Sequence, residues 1–106
     1  MRFLAFALLL GLAPLAWAED PTFEITIKEH VFTPSEIVVP AGQKIRLVVK
    51  NEDATAEEFD SQSLNREKVI AGKGQGTIFV GPLKPGEYPF IGEYHEKTAT
   101  GKLIVK

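Results

Sequence analysis

The two histidines of this chain, His30 and His95, stand far apart in the sequence. His95 follows Glu93 and Tyr94 and precedes Glu96, while Glu57, Glu58 and Asp60 form a separate acidic stretch. Neutral imidazole with carboxylate oxygen suits copper(II), zinc or iron, because borderline metals accept nitrogen and harder oxygen donors together. No His-x-x-x-His or Cys-x-x-Cys spacing builds such a site locally, so only the fold can bring these segments together. The alternative for each residue is an exposed polar loop. Sulfur takes no part: there is no cysteine, and the single methionine is Met1. A disulfide framework, a thiolate metal site and a cysteine nucleophile are all excluded. Ser61 and Ser63 lack the context of a nucleophile elbow. So short a chain also leaves little room for the substrate cleft that a glycosidase-like carboxylate pair needs.

The elements that would position these residues are strands. Phe23-Glu24-Ile25-Thr26-Ile27 alternates apolar and polar with the period of a half-buried strand. Glu36-Ile37-Val38-Val39 and Ile45-Arg46-Leu47-Val48-Val49 flank Pro40-Ala41-Gly42-Gln43, where Pro fixes φ and Gly supplies a positive φ for a turn. Residues 52–63 carry little periodicity and read mainly as a loop. Lys68-Val69-Ile70 and Thr77-Ile78-Phe79-Val80 are two further short strands. Between them, Ala71-Gly72-Lys73-Gly74-Gln75-Gly76 reads as a flexible β-turn; it lacks the Gly-Lys-Ser/Thr ending and following helix of a phosphate loop. Leu83-Lys84-Pro85-Gly86 is another turn, followed by strands over residues 87–91 and 101–105. About seven short strands with Pro/Gly turns and no long amphipathic helix predict one all-β sandwich.

The turns also predict where the candidate ligands lie. If strands 36–39 and 45–50 meet at a hairpin-like turn at one end, His30 and the stretch after Asn51 belong to the other end. A turn at 83–86 sends strand 87–91 toward that same end, delivering Gly92, Glu93, Tyr94 and His95. The acidic loop would carry Glu57, Glu58 and Asp60 there, with Arg66 and Lys68 pairing to it. The candidate metal ligands are therefore His95, Glu57, Glu58, Glu93 and His30.

Residues 1–18 are expected to be a cleavable signal peptide. Arg2 gives a positive start, residues 3–12 are almost wholly apolar, Pro14 breaks the run, and Ala16-Trp17-Ala18 is a small-x-small cleavage pattern. The apolar run is shorter than the about 20 residues a membrane-spanning helix needs. A periplasmic domain over residues 19–106 follows. The formal charge of −2 offers no basic surface for nucleic acid.

Several motifs carry a resemblance in the same order along the chain. His30-Val31-Phe32-Thr33-Pro34-Ser35-Glu36-Ile37-Val38-Val39-Pro40-Ala41-Gly42, continued by Leu47-Val48-Val49-Lys50-Asn51, resembles the first half of bacterial cupredoxins. Pro85-Gly86-Glu87-Tyr88-Pro89-Phe90 resembles the strand that enters their copper loop, and Gly101-Lys102-Leu103-Ile104-Val105 their last strand. The resemblance implies a cupredoxin-like Greek-key β-sandwich. It places the first blue-copper histidine at Glu57, the cysteine at Gly92, the second histidine at His95 and the methionine near Ala99. Only His95 retains its ligand type, so a blue-copper centre is not expected.

Glu57-Glu58-Phe59-Asp60-Ser61, Arg66-Glu67-Lys68, Gly81-Pro82-Leu83-Lys84-Pro85-Gly86 and Gly92-Glu93-Tyr94-His95 are similar to a narrower, cysteine-free periplasmic subgroup. Its members accompany bacterial ferrous-iron uptake with an oxidase-coupled membrane iron permease and a periplasmic iron-binding protein. That likeness implies a copper or iron ion as cofactor or cargo and an accessory role in oxidising Fe(II) before transport. Competing readings are a metal-free adaptor docking on a permease or periplasmic partner, and an independent ferroxidase.

Overall fold

Alternation of side chains decides which face of each strand is buried, and the computed structural model, which describes residues 19–106, shows it directly. The expected leader, residues 1–18, lies outside the described residues. In β1 (Thr22–Lys28), Ile25 and Ile27 face the core while Glu24 and Lys28 face outward. β4 (Ile45–Asn51) buries Ile45, Leu47 and Val49 and ends on an inward-facing Asn51. β2 (Val31–Thr33) contributes Phe32, β3 (Glu36–Val39) contributes Ile37 and Val39, and β7 (Gln75–Val80) contributes Ile78 and Val80. The remaining strands are β5 (Glu57–Ser61), β6 (Arg66–Ile70), β8 (Gly86–Gly92) and β9 (Thr100–Val105). A single 3-10 turn, Glu93–His95, follows β8.

These strands form two sheets, ordered β2-β1-β4-β7 and β3-β9-β8-β5-β6. The all-β, cupredoxin-like sandwich expected from the sequence is present, with nine strands among the described residues and almost no helix. No described helix is long and apolar enough to cross a membrane. Phe32, Phe59 and Phe90 meet at the centre of the core with ring centroids 4.9–6.2 Å apart. Phe32 stands edge-on to the other two, a favourable aromatic geometry.

Two expectations need correction. Residues 57–61 are a strand, not part of a loop, and pair with both β6 and β8. Their inward positions are Glu57, Phe59 and Ser61, so two of the three buried side chains are polar and the apolar period vanishes from the sequence. Residues 40–43 are also no hairpin turn. β3 pairs in parallel with β9, whereas β4 lies in the other sheet, so the chain changes sheets there.

The expected gathering of segments at one end survives this correction by a different route. β1 runs parallel to β4 with Ile27 opposite Asn51, which delivers the β1–β2 turn and the β4–β5 connection to the same rim. At the opposite end, Gly42 N–H donates to the Leu83 carbonyl at 2.9 Å and ties the two expected turns together. The glycine-rich segment is a turn between β6 and β7, with Gly74 N–H closing on the Ala71 carbonyl.

Phe59 is fully buried between Phe32 and Phe90. Phe59→Ala is expected to cost about 3–5 kcal/mol of unfolding free energy through lost burial and the cavity left behind. Equilibrium denaturation in urea measures it.

Candidate metal centre

Glu57 opens β5 on its inward side and is only 1% exposed. A buried carboxylate is costly unless its oxygens are satisfied, and this one is satisfied at both. Oε2 accepts the backbone N–H of Tyr94 at 2.9 Å and of Glu58 at 3.1 Å. Oε1 lies 2.6 Å from Nδ1 of His95. Gly92 makes this placement sterically feasible. A Cβ there would come within 2.7 Å of Glu57 Cδ and 2.6 Å of Ala99 Cβ, distances that real Cβ atoms do not reach.

His95 closes the 3-10 turn after β8, and its carbonyl accepts the N–H groups of Ala99 and Thr98. The loop is drawn shut again where Gly92 N–H donates to the Ala99 carbonyl at 2.8 Å. The half-buried ring of His95 stacks on that of His30, with centroids 3.5 Å apart and planes 9° from parallel.

His30 reaches this position from the tight turn between β1 and β2. Glu29 and His30 both adopt left-handed backbone conformations, φ 52° and 61°. Non-glycine residues pay a steric penalty there and need outside support. Asp53 supplies it by accepting Glu29 N–H at 2.7 Å on Oδ1 and His30 N–H at 3.0 Å on Oδ2. Thr98 Oγ1 donates to the His30 carbonyl at 2.6 Å.

The structure thus brings together three of the five residues expected from the sequence. One potential ligand atom each from His30, Glu57 and His95 lies within 4.8 Å of the others. Glu58, next to Glu57, alternates to the other face of β5, and Glu93 is exposed. Both lie outside the three-residue cluster. With Asp60, Glu67 and Glu96 they form an acidic flank that perturbs its own members. The Glu58 carboxyl is raised above its ordinary value by partial desolvation, then by the charges of Glu67, Asp60 and Glu57. Glu93 is raised by partial desolvation, then by Asp60 and Glu96.

Arg66 does not pair with this flank. Its guanidinium donates to the backbone carbonyls of Phe79 and Asn65. Among the described residues no ion pair joins Arg66 or Lys68 to an acidic side chain.

Asp53 was not among the residues expected at the site, and Asn51 was read only as the end of a strand. Asn51, 2% exposed, bonds Asp53 N–H through Oδ1 and the carbonyls of Thr55 and Ile70 through Nδ2. Asn-x-Asp at the end of a strand is an Asx-turn signal, and it marks the place. Asp53 is held below its ordinary carboxyl range, chiefly by the His30 N–H; burial opposes this, while Glu29 N–H and the charges of His30 and Lys73 reinforce it.

The sequence profile of the cupredoxin-like domain family matches residues 1–105, and the chain belongs to that family. An uncharacterised protein of Rickettsia prowazekii (strain Madrid E) is 46% identical over 82 residues, covering 77% of this chain and 66% of that protein. The chain therefore spans just under two thirds of that relative's length. Among solved structures, auracyanin A, a blue copper protein of Chloroflexus aurantiacus, superposes with a TM-score of 0.71 at 20% identity. The superposition covers 83% of this chain and all of auracyanin A. The metal-binding domain of the Cu(I)-exporting P-type ATPase CopA of Streptococcus pneumoniae D39 gives 0.68 at 15% identity, over 80% of this chain and 84% of that domain. At these identities the likeness is one of fold.

A thiolate copper centre does not fit this chain. The position where the resemblance puts its cysteine is Gly92, and the space a side chain would need is filled by Glu57 and Ala99. What remains is a donor set of two imidazoles and one carboxylate.

Gly92→Cys is accordingly expected to lose about 1–3 kcal/mol of stability through overpacking. With copper(II) added it should show no intense thiolate-to-copper absorption; thermal melts and visible spectra check both. A pH test follows from Asp53. Its folded carboxyl titrates below the ordinary 3.8. The stability from its charged form is therefore complete above 3.8 and is lost as pH falls through the depressed folded value. Asp53→Asn should melt below the wild type at neutral pH, and the gap should shrink in strong acid. A pH series of thermal melts measures it.

Proposed function

We propose that this protein is a periplasmic metal-binding accessory of an iron or copper uptake system. The observation that carries the reading is the meeting of His30, Glu57 and His95, from three distant segments, within 4.8 Å on one rim of the sandwich. Two imidazoles and a carboxylate suit copper(II) or iron rather than soft Cu(I). The fold neighbours support a copper-related role, since auracyanin A is a blue copper protein and the CopA domain is a metal-binding one. This chain replaces their chemistry with its own donors. A bound copper(II) or iron ion would supply one-electron chemistry at the rim.

The residues of this chain would hold and gate that ion. Glu57 is anchored by two backbone N–H groups, which orient Oε1 toward His95. The Glu57 contact at Nδ1 leaves the other ring nitrogen of His95 as the one open to an ion. A carboxylate donor favours Fe(III) over Fe(II) and so eases electron loss from a ferrous ion. In this reading the uptake partners would be an oxidase-coupled membrane iron permease and a periplasmic iron-binding protein.

Titration of residues 19–106 with copper(II), Fe(II) and Fe(III) by calorimetry and electron paramagnetic resonance tests this. Expected is at least one metal bound tighter than about 100 μM, roughly −5.5 kcal/mol. His95→Ala and Glu57→Gln should each weaken it about tenfold or more, about 1.4 kcal/mol. No binding by any of the three ions sinks the reading.

One observation favours a second reading, a metal-free adaptor for a permease or periplasmic partner. The Glu57 carboxylate is already satisfied by protein donors alone. Capture of such a partner that survives both chelator and His95→Ala would support it.

A further inference from the structure

We propose that Asp53 is a positioning residue for the metal site, holding His30 so that its Nε2 is the donor. The inference rests on the reading of His30, Glu57 and His95 as ligands and adds the group that makes His30 competent.

His30 does not sit in the rim by the ordinary preference of its backbone. It is the second of two consecutive left-handed residues, and neither is glycine. The turn is held from one side by the Asp53 carboxylate, which spans both N–H groups with its two oxygens. From the other side it is held by Thr98, whose hydroxyl bonds the His30 carbonyl and whose N–H bonds that of His95. The same Asp53 Oδ2 lies 3.4 Å from Nδ1 of the His30 ring. A carboxylate beside one ring nitrogen favours the tautomer protonated there, leaving the other nitrogen's lone pair free; metal-binding histidines are commonly oriented in this way.

Asp53 is itself rigid. Its N–H is bonded to Asn51 Oδ1 at 3.0 Å, and its carbonyl accepts Lys73 N–H at 2.8 Å. Its side chain is 15% exposed and that of His30 is 41% exposed. The carboxylate thus works from the protected side while the imidazole faces the open rim.

The test combines nitrogen-15 NMR of the metal-free protein with copper(II) titration and pulsed electron paramagnetic resonance. In the wild type, His30 is expected as the Nδ1–H tautomer, with two imidazoles on copper(II). Asp53→Ala should lose that tautomer preference, weaken copper(II) binding at least about tenfold and leave one imidazole on the ion. Asp53→Glu should restore part of both. Asp53→Asn, which retains an acceptor oxygen for the turn, serves if the alanine variant does not fold, and should also lose the Nδ1–H preference. An Nε2–H tautomer in the wild type overturns the proposal. So does a folded Asp53 variant that binds copper(II) through two imidazoles with unchanged affinity; in that case the metal site itself stands. Absence of copper(II) binding by the wild type removes the metal site and the role of Asp53 together.

Discussion

A carboxylate buried in the core of a small β-sandwich sets the terms for everything around it. Moving a charge of this kind out of water costs several kcal/mol unless the protein replaces the lost hydration with well-placed donors. Here the replacement consists of two backbone N–H groups and an imidazole, all converging on Glu57. Two of these partners, Tyr94 N–H and the His95 ring, belong to the 3-10 turn after β8. The position of that turn is therefore coupled to the charge. The absence of a side chain at Gly92 follows from the same constraint, since any Cβ would occupy the volume of the carboxylate. Glu57 and Gly92 are one feature seen from two strands.

The His30 side of the rim is built on a different principle. Glu57 and His95 are placed by regular strands and the short turn between β8 and β9. His30 sits in a backbone conformation that the local sequence would not choose. It is stable because Asn51 shapes the β4–β5 connection, the connection aims Asp53, and Asp53 accepts both N–H groups of the turn. Removing one member of such a chain leaves polar groups unsatisfied further along it. The effects of changes at Asn51, Asp53 and His30 should therefore not be additive. The stacked imidazoles join the two halves, with the planes of His30 and His95 9° from parallel.

Most of the fold was legible because period-two alternation survives wherever a strand buries aliphatic side chains, as in β1, β3, β4 and β7. It failed at β5, the strand that matters most for the site, because Glu57 and Ser61 take core positions that are usually apolar. Polar side chains written into a core strand erase the pattern by which strands are recognised. The convergence of His30 and His95 on one rim was legible, although by an argument that assumed a hairpin at residues 40–43. The parallel pairing of β1 with β4, which a short-range reading of turns cannot supply, is what achieves it. The Asn-x-Asp pattern marks a turn at Asp53, but not its partners, because the two N–H groups that Asp53 accepts are backbone donors of a distant turn.

The sandwich shared with auracyanin A and the CopA domain shows how little a fold commits a chain to one chemistry. By the resemblance seen in the sequence, His95 in the loop after β8 would stand at the position of a copper-binding histidine and Gly92 at that of the cysteine. The space a side chain at residue 92 would need is filled by the Glu57 carboxylate from β5 and by Ala99. Softness and hardness of donors decide which ions and oxidation states a site favours. A carboxylate in place of a thiolate would move such a preference toward higher-charge, oxygen-seeking ions on the same scaffold. The histidine rings are partly exposed at the rim while the carboxylate is sealed beneath them. An ion entering from solvent would meet imidazole first and carboxylate last.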